Sequence, residues 1–246
     1  MKTPFLPRLE ACLRDRIFAL PYLPKTQGST FDLVVRNTIE RETNIPCTTP
    51  EAWTSQEDYA PFRQAVRKRL AHAPVAAKTP IVVAQPNGSQ QWPDLAIIHG
   101  NNIVYIEFKT NKDDKIVWNG GLPRRDGLYL FNSGLKARKQ TTAFLGHHVL
   151  PDPDRALLEQ AAKAAAAAAA PFNDRLKNAG SSWNHYARAM FNCSAYYLRH
   201  PDVQFRENEA IAFLIHHPRT HDPLSLRTPR RRLFRTHRPP LLSRTP

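Results

Sequence analysis

Two short apolar runs joined by a turn are the feature that most limits how this chain can fold. They lie within Trp92–Thr110, WPDLAIIHGNNIVYIEFKT, at Leu95–Ile98 and Ile103–Phe108, with the residues HGNN between them. Apolar runs of this length bounded by glycine and asparagine are typical of β-strands, and the intervening residues are typical of a turn. The stretch therefore predicts a β-hairpin.

Three charged side chains interrupt this apolar hairpin. Asp94 begins the first strand, and Glu107 and Lys109 lie near the end of the second. Because strand side chains alternate between faces, Glu107 and Lys109 share one face while Ile106 and Phe108 occupy the other. Burying such charges is costly unless they pair or bind a metal, and carboxylate oxygens are the ligands that Mg²⁺ prefers. A lysine beside them is suited to orient a water and to stabilise a phosphate.

The spacing of these charges resembles the PD-(D/E)xK nuclease superfamily, whose best-known members are type II restriction endonucleases. Pro93-Asp94 is followed, after twelve residues, by Glu107-Phe108-Lys109. The resemblance covers about residues 80–150. It implies a Mg²⁺-dependent endonuclease acting on double-stranded DNA, with Asp94, Glu107 and Lys109 as catalytic residues.

The same resemblance implies how the site would be built. Asp94 and Glu107 would hold Mg²⁺, with the carbonyl of Phe108 as a further ligand. A palindromic DNA target would imply a symmetric homodimer. On the predicted helix before the sheet, Glu40 is a candidate metal ligand by family resemblance, and the alternative is a solvated surface glutamate.

Two other interpretations of the charged hairpin stay open. In the first, the hairpin carries only a structural ion pair. In the second, the site is the rival motif DDK at residues 113–115, which lies in a charged run typical of a loop. The Pro-Asp dipeptide has no weight alone, because it recurs at residues 151, 153 and 201. The context of two adjacent apolar strands favours Asp94, Glu107 and Lys109.

Basic and amide side chains after the hairpin are the predicted DNA contacts. A polar loop follows Lys109, and a predicted helix begins near residue 136. Such groups beside a metal site are suited to hold phosphates and to contact base edges. The predicted contacts are Lys112, Lys115, Asn119, Arg124, Arg125, Arg138, Lys139 and Gln140. The adjacent His147 and His148 are expected to point apart and are not predicted to form a metal pair.

The charge of the chain indicates a polyanionic partner. Its 246 residues carry a net charge of +14 and a pI of about 10.1, which suggests nucleic acid or an anionic membrane surface. Residues 218–246 hold eight arginines, one aspartate and six prolines, and they supply half of that charge. This basic tail is predicted to be a disordered nucleic-acid-binding arm. The alternative is that its reading frame is not the native one.

The order of predicted elements indicates a single α/β domain over residues 1–217. A central mixed β-sheet flanked by helices, restriction-endonuclease-like by resemblance, is expected over about residues 28–150, followed by a helical part at 151–217. The predicted helices span about 9–19, 29–42, 48–73, 136–144, 152–170 and 181–198. The predicted strands span 81–84, 95–98, 103–108, 128–131 and 210–215. Ser29 and Asp32 form a pair similar to a capping box at the second helix.

Composition limits the class of protein further. No run of eighteen apolar residues exists, so a membrane span is not expected, and the N-terminus does not resemble a signal peptide. Three scattered cysteines, Cys12, Cys47 and Cys193, predict reduced thiols in a cytoplasmic protein. Two other function classes stay open: a non-catalytic nucleic-acid-binding module, and a membrane-surface or scaffold protein that depends on the basic tail alone. The first lacks a glycine-aromatic RNA-binding signature.

Overall fold

A central mixed sheet organises the computed structural model of the protein, and helices pack on both of its faces. The structure describes residues 4–24, 30–89, 91–113, 115–119, 121–135, 140–185, 190–194 and 203–216. The main sheet has the strand order β1-β2-β3-β5-β6, and β4 pairs with β7 in a second sheet. The strands are β1 (Cys47–Thr48), β2 (His72–Ala84), β3 (Leu95–Asn111), β4 (Lys115–Trp118), β5 (Leu128–Ser133), β6 (Thr141–Leu145) and β7 (Phe191–Ser194).

The helices come mostly before and after the strands, as predicted. The chain begins with α1 (Phe5–Ala11), which continues as a π-helix (Cys12–Ile17). The others are α2 (Thr30–Thr43), α3 (Pro50–Ser55), a 3-10 turn (Glu57–Tyr59), α4 (Ala60–Lys68), α5 (Gly146–Val149), α6 (Asp152–Asn178) and α7 (Val203–His216). Among the described residues, no helix combines the length and the apolar character needed to cross a bilayer.

Strand β3 folds back on itself near its middle. The carboxylate of Asp94, which immediately precedes β3, accepts a hydrogen bond of 2.8 Å from the backbone N–H of Phe108. Fourteen residues of straight extended chain would separate these groups by about 45 Å, so the ribbon must reverse between them. Gly100 lies in the middle with a φ of +61°, a conformation that glycine supplies readily in tight hairpin turns. The predicted hairpin is confirmed.

The two halves of β3 join different neighbours in the sheet. The first half runs antiparallel to β2, with Ile98 opposite Ile81. The second half runs parallel to β5, with Glu107 opposite Tyr129. The sheet is therefore mixed, and the end of the hairpin that carries the charges lies in its middle.

Side chains of β3 alternate between two buried layers. Val104, Ile106 and Phe108 pack into a core with residues of α1, the π-helix, α2 and α7. Ile103 and Tyr105 pack on the other face with α3 and α4, around the fully buried Trp53. By the same alternation Glu107 and Lys109 belong to the second face, which confirms the predicted separation of these side chains from Phe108.

Two short apolar runs were predicted with the wrong secondary structure. Residues 141–144, predicted as helix, lie in β6, where every side chain is buried; threonine and phenylalanine fit a covered strand well. Residues 210–215, predicted as a strand, lie in α7. A short apolar run does not distinguish a buried strand from a buried helix, and Ala210, Ile211 and Leu214 bury the helical face.

Two helix ends predicted from prolines are wrong. Helix α6 was expected to stop at Pro171 but continues to Asn178, since strong helix formers on both sides offset the loss of one hydrogen bond. Pro74 and Pro80 were expected to end helix 48–73, yet they lie within β2. The helix ends earlier, at Lys68, because Arg69 adopts a left-handed conformation with φ +61°. Helix α6 has no buried residue, as expected of a surface helix.

The region around β4 and β7 also differs from expectation. The loop predicted after Lys109 contains β4, which pairs with β7. A helix with a core stripe was predicted from Ser181, but residues 181–185 are not helical and the side chain of Trp183 is 81% exposed. Residues 191–194 form strand β7 and not helix, and the rest of the predicted stripe, at 186–189 and 195–198, lies outside the described residues. The basic tail at 218–246 lies outside the described residues.

Candidate active site

The three predicted catalytic residues line one cavity of about 450 Å³. Asp94 enters it from the segment just before β3, and Glu107 and Lys109 enter it from the second half of the same strand. The hairpin reversal at Gly100 is what brings the two ends of this segment together. The structure therefore collects residues that are more than a dozen positions apart in sequence.

Hydrogen bonds fix each of these three side chains. Asp94 Oδ2 accepts from Phe108 N at 2.8 Å, and Lys109 Nζ donates to Glu107 Oε1 at 2.9 Å. The side chains of Glu107 and Lys109 are only 16% and 20% exposed. The second carboxylate oxygen of Glu107, Oε2, is buried and has no hydrogen-bond partner in the described structure. A buried carboxylate oxygen without a partner is costly, so this atom is suited to receive a ligand.

Asp94 has the electrostatic character of a crowded carboxylate. Burial is the largest of the effects that raise the pKa of Asp94 to about 7, and the negative charges of Glu107 and Asp32 act in the same direction. The Phe108 N–H and the Lys109 ammonium oppose these effects. At neutral pH the cavity therefore does not readily hold all of its carboxylates ionised, and a bound cation would stabilise their charged forms.

Helix α2 supplies a third carboxylate to the cavity. Phe31 packs edge-to-face on Phe108 with ring centroids 5.9 Å apart, and the neighbouring Asp32 lines the cavity. From its spacing to Ser29, Asp32 was predicted only to cap the helix. The sequence did show that Asp32 is next to the apolar Phe31, which was expected to pack on the core. It did not show which end of α2 packs on the hairpin.

Glu40, the predicted metal ligand on the same helix, lies elsewhere. Its Oε2 accepts a hydrogen bond of 3.3 Å from Cys47 N, at the start of β1. Eight residues of helix separate it from Asp32, a rise of about 12 Å. The α2 carboxylate in the cavity is thus Asp32, and Glu40 is not one of its lining residues.

The predicted DNA contacts divide between the cavity and its surroundings. Asn119 and Arg124 line the cavity, while Lys112 and Lys115 are exposed beyond its lining. Arg125 forms an ion pair of 2.5 Å with Asp152. The Gln140 side chain accepts from Tyr22 N at 3.0 Å. Arg138 and Lys139 lie outside the described residues.

The rival motif at residues 113–115 is separate from this cavity. Asp113 and Lys115 are both exposed, and neither lines the cavity; residue 114 lies outside the described part of the chain. Lys115 begins β4 instead. The structure therefore brings carboxylates together with Lys109 and not with Lys115.

Aromatic rings hold two cations at the rim. The guanidinium of Arg124 lies 4.3 Å from the centroid of the Trp92 ring, and Lys109 Nζ lies 5.3 Å from that of Trp118. Both distances are within the range of a cation–π interaction. The rings restrict the positions of the two cations, and Lys109 is also paired with Glu107.

The loop that carries Arg124 is held closely to the sheet. The Tyr129 hydroxyl accepts from Arg124 N at 2.7 Å, and the Arg124 carbonyl approaches Gly146 at the junction of β6 and α5. A Cβ atom on Gly146 would lie 1.9 Å from that carbonyl oxygen. Only glycine permits this contact, so Arg124 has a fixed backbone position at the cavity rim.

The carboxylates of the cavity are the donor type that a hard divalent cation prefers, but in the described structure their oxygens do not all lie within 4.8 Å of one another. Asp32, Asp94 and Glu107 contribute only carboxylate oxygens, which are the ligands that Mg²⁺ prefers. The buried Glu107 Oε2 without a partner and the raised pKa of Asp94 are both relieved by positive charge at this position.

A second group of ligand-type side chains, His147, His148 and Glu209, is held together by hydrogen bonds. The ligand atoms of these three side chains lie within 4.8 Å of one another. The imidazole rings of His147 and His148, on the one-turn helix α5, contact each other edge to face with centroids 4.4 Å apart. The prediction that the two histidines point apart is therefore wrong. His148 Nδ1 accepts from Leu145 N at 3.1 Å, so a neutral ring donates its Nε2–H to Glu209 at 2.8 Å. A metal on His148 would have to displace one of these bonds.

Comparisons with known proteins found no matching family model, no similar curated protein and no similar solved structure. The geometry of the cavity is therefore the basis on which a function can be assigned.

Proposed function

We propose that this protein is a Mg²⁺-dependent endonuclease that hydrolyses phosphodiester bonds in double-stranded DNA, in the manner of a type II restriction enzyme. The observation that carries the proposal is the convergence of Asp94, Glu107 and Lys109 in one cavity, with Glu107 Oε2 buried and without a partner. A purely structural ion pair between Glu107 and Lys109 would need neither Asp94 nor an unpartnered carboxylate oxygen beside it.

In the proposed site, Asp94 and Glu107 hold Mg²⁺, and Asp32 adds a third carboxylate. The Phe108 carbonyl is a further ligand candidate. Within a strand, the N–H and C=O of one residue point to the same side, and the Phe108 N–H points to Asp94, so its carbonyl faces the Asp94 side as well. When bound, the metal supplies Lewis-acid stabilisation of charge on the phosphate and activation of water.

Lys109 has the role of positioning the attacking water and stabilising the charge that develops on the phosphate. Glu107 Oε1 and the Trp118 ring restrict its ammonium group, so it is preorganised before the substrate arrives. Preorganised charge at a reacting centre is a large contribution to catalysis because it needs no reorganisation during the reaction.

Positive charge around the cavity supports a polyanionic substrate. Arg124 lies on the rim, with Lys112 and Lys115 exposed nearby in the chain beyond β3. These groups and the net charge of +14 attract DNA phosphates. Since the described part of one chain contains one carboxylate cavity of this kind, cutting both strands of a palindromic site implies that two copies act as a symmetric homodimer.

Incubation with supercoiled plasmid in Mg²⁺ or in EDTA tests this function. Discrete linear fragments that appear only with Mg²⁺ are the expected result, and sequencing of their ends would give the recognition site. A uniform smear would support a nuclease without sequence specificity. Plasmid that stays supercoiled, yet shifts in a gel, would favour a non-catalytic DNA-binding module instead.

A further inference from the structure

A smaller second cavity adjoins the candidate active site. It has a volume of about 210 Å³ and shares Arg69, Trp92 and Arg124 with the carboxylate cavity. Ile103 and Tyr105 form much of its apolar wall. Ligand pockets for drug-sized molecules usually measure about 300–1,000 Å³, so this cavity suits one small group. The three shared residues form the boundary between the two cavities.

The boundary carries two positive charges, although Asp126 lines the smaller cavity and Glu107 lines the larger one. Within the described ranges, neither Arg69 nor Arg124 forms an ion pair with an acidic side chain within 4 Å. Burial is the largest of the effects that lower the pKa of Arg124, and repulsion by the charge of Arg69 acts in the same direction, while Tyr129, Glu107 and Tyr105 oppose them. An anion between the two guanidinium groups would remove that repulsion.

Both arginines are fixed at their backbones. Arg69 ends α4 in a left-handed conformation, and its N–H donates to Val66 O at 3.0 Å. Arg124 is fixed by Tyr129 and Gly146, and its guanidinium stacks on Trp92. Arg69 is exposed and Arg124 is half-buried, and both line the boundary between the two cavities. The boundary therefore presents two guanidinium groups to an anion that enters from solvent.

We infer that Arg69 and Arg124 bind a second phosphate group of the nucleic acid, beside the one that is hydrolysed. This inference rests on the proposed nuclease function for the identity of the ligand. Guanidinium groups match phosphate oxygens with paired hydrogen bonds, and the shared boundary places this subsite next to Asp94 and Glu107. The two arginines position the strand; they do not take part in bond breaking.

The same chemistry fits two sources of phosphate. One is the neighbouring phosphodiester of a continuous strand, and the other is the phosphate monoester at a 5′ end. The first would orient an internal cut, and the second would direct the enzyme to DNA ends. Both phosphates would bind the same pair of guanidinium groups, so only a comparison of different DNA substrates distinguishes the two sources.

Binding of inorganic phosphate tests the subsite without cleavage. Tryptophan emission should respond to phosphate through Trp92, and the response should vanish in Trp92→Phe. Two variants test the arginines: Arg124→Gln, and Arg69→Asn, since asparagine tolerates the left-handed conformation of residue 69. Each should weaken phosphate binding about tenfold or more, because a charge-assisted hydrogen bond contributes about 1.5–3 kcal/mol. Arg67→Ala is the matched control, an exposed arginine on the same helix that lines neither cavity. Equal binding by wild type and both arginine variants would overturn the inference.

Cleavage kinetics then identify the source of the phosphate. The two variants should raise KM about tenfold with little change in kcat, and each should reduce the salt slope of DNA binding by about one. Equal losses on closed circular and linear DNA indicate the backbone phosphate. Losses confined to linear DNA with 5′-phosphates, compared with 5′-hydroxyl ends, indicate the terminal one. Unchanged KM on every substrate would contradict the subsite.

The two proposals fail in different ways. A wild-type protein that binds phosphate through these arginines but leaves plasmid intact would refute the nuclease and keep the anion subsite. A wild-type protein that cuts DNA while its arginine variants bind phosphate and DNA normally would refute the subsite and keep the nuclease.

Discussion

Asp94 is the residue on which the electrostatics of the cavity converge. It accepts from Phe108 N, faces two other carboxylates, and has a pKa of about 7. A carboxyl group whose pKa is raised by burial and by neighbouring negative charges occurs often at functional sites. The sequence identified Asp94, Glu107 and Lys109 because strand alternation and spacing are local properties. It did not identify Asp32, Arg69 or Trp92, because their approach to the cavity depends on how helices dock on the sheet.

The raised pKa of Asp94 predicts how stability depends on pH. The folded protein keeps a proton on Asp94 between about pH 4 and pH 7, where the unfolded chain releases it. The stabilising contribution of this carboxyl is therefore complete below pH 4 and is lost as pH rises through 7. Asp94→Asn stays neutral, so its free energy of unfolding at pH 8 should exceed that of wild type by roughly 1–3 kcal/mol.

Denaturant titrations of both proteins at pH 4, 6 and 8 measure this difference. The gap should close toward pH 4, and Mg²⁺ at pH 8 should stabilise wild type more than the variant, because a ligand stabilises the state that binds it. Parallel pH profiles would show that the Asp94 carboxyl is not perturbed in the folded protein.

Lys109 and Lys115 form a matched pair for the identity of the catalytic lysine. Lys109→Ala should lower the cleavage rate by several orders of magnitude, on the order of 10²–10³ or more, and retain Mg²⁺ binding because the carboxylates remain. Lys115→Ala, on the exposed start of β4, should cut at nearly the wild-type rate. An inactive Lys115→Ala beside an active Lys109→Ala would assign the site to the motif at 113–115.

At the scale of elements, the hairpin and helix α2 determine the site together. The β3 ribbon was predictable because its two apolar runs and glycine turn are contiguous. Which end of α2 meets the ribbon was not, since it depends on the long-range packing of Phe31 on Phe108. Dependence on long-range packing also explains the wrong predictions at β6 and α7. A short apolar run fits either a buried strand or a buried helix, and its packing partners determine which one forms.

The two acids of α2 test this docking. Asp32→Asn should weaken Mg²⁺ affinity and raise the Mg²⁺ concentration needed for half-maximal cleavage, since the variant removes a carboxylate from the cavity. Glu40→Gln should leave both unchanged, because Glu40 is bonded to Cys47 N on β1. Calorimetric titration with Mg²⁺ measures both variants. Loss of affinity only in Glu40→Gln would mean that α2 contributes its other end to the metal site.

For the whole molecule, the sequence predicted the class and the mixed sheet but not the strand order β1-β2-β3-β5-β6. Pairing between distant strands leaves no local pattern, because each strand specifies its faces and not its neighbours. The net charge of +14, by contrast, is a property of composition and was available at once. It is the basis for the proposed DNA partner, while the cavity is the basis for the proposed chemistry.

The basic tail should contribute affinity rather than sequence specificity. A chain ending at His217 lacks the eight arginines of residues 218–246, so its non-specific DNA binding at low salt should fall and its salt slope should be shallower. Its preference for a target sequence should stay the same. Filter binding across a salt series compares the two chains, and a changed target sequence would show that the tail takes part in recognition.

Plasmid cleavage by Glu107→Gln tests the central claim most directly, because the substitution removes one charge and keeps the shape of the side chain. With Mg²⁺, wild type should convert supercoiled plasmid to linear fragments, while Glu107→Gln, and wild type in EDTA, should leave it intact. The variant should still bind DNA as tightly as wild type or more tightly, since repulsion of phosphate falls. Cleavage by Glu107→Gln at the wild-type rate, or equal cleavage in EDTA, would contradict a metal-dependent nuclease site built on Asp94, Glu107 and Lys109.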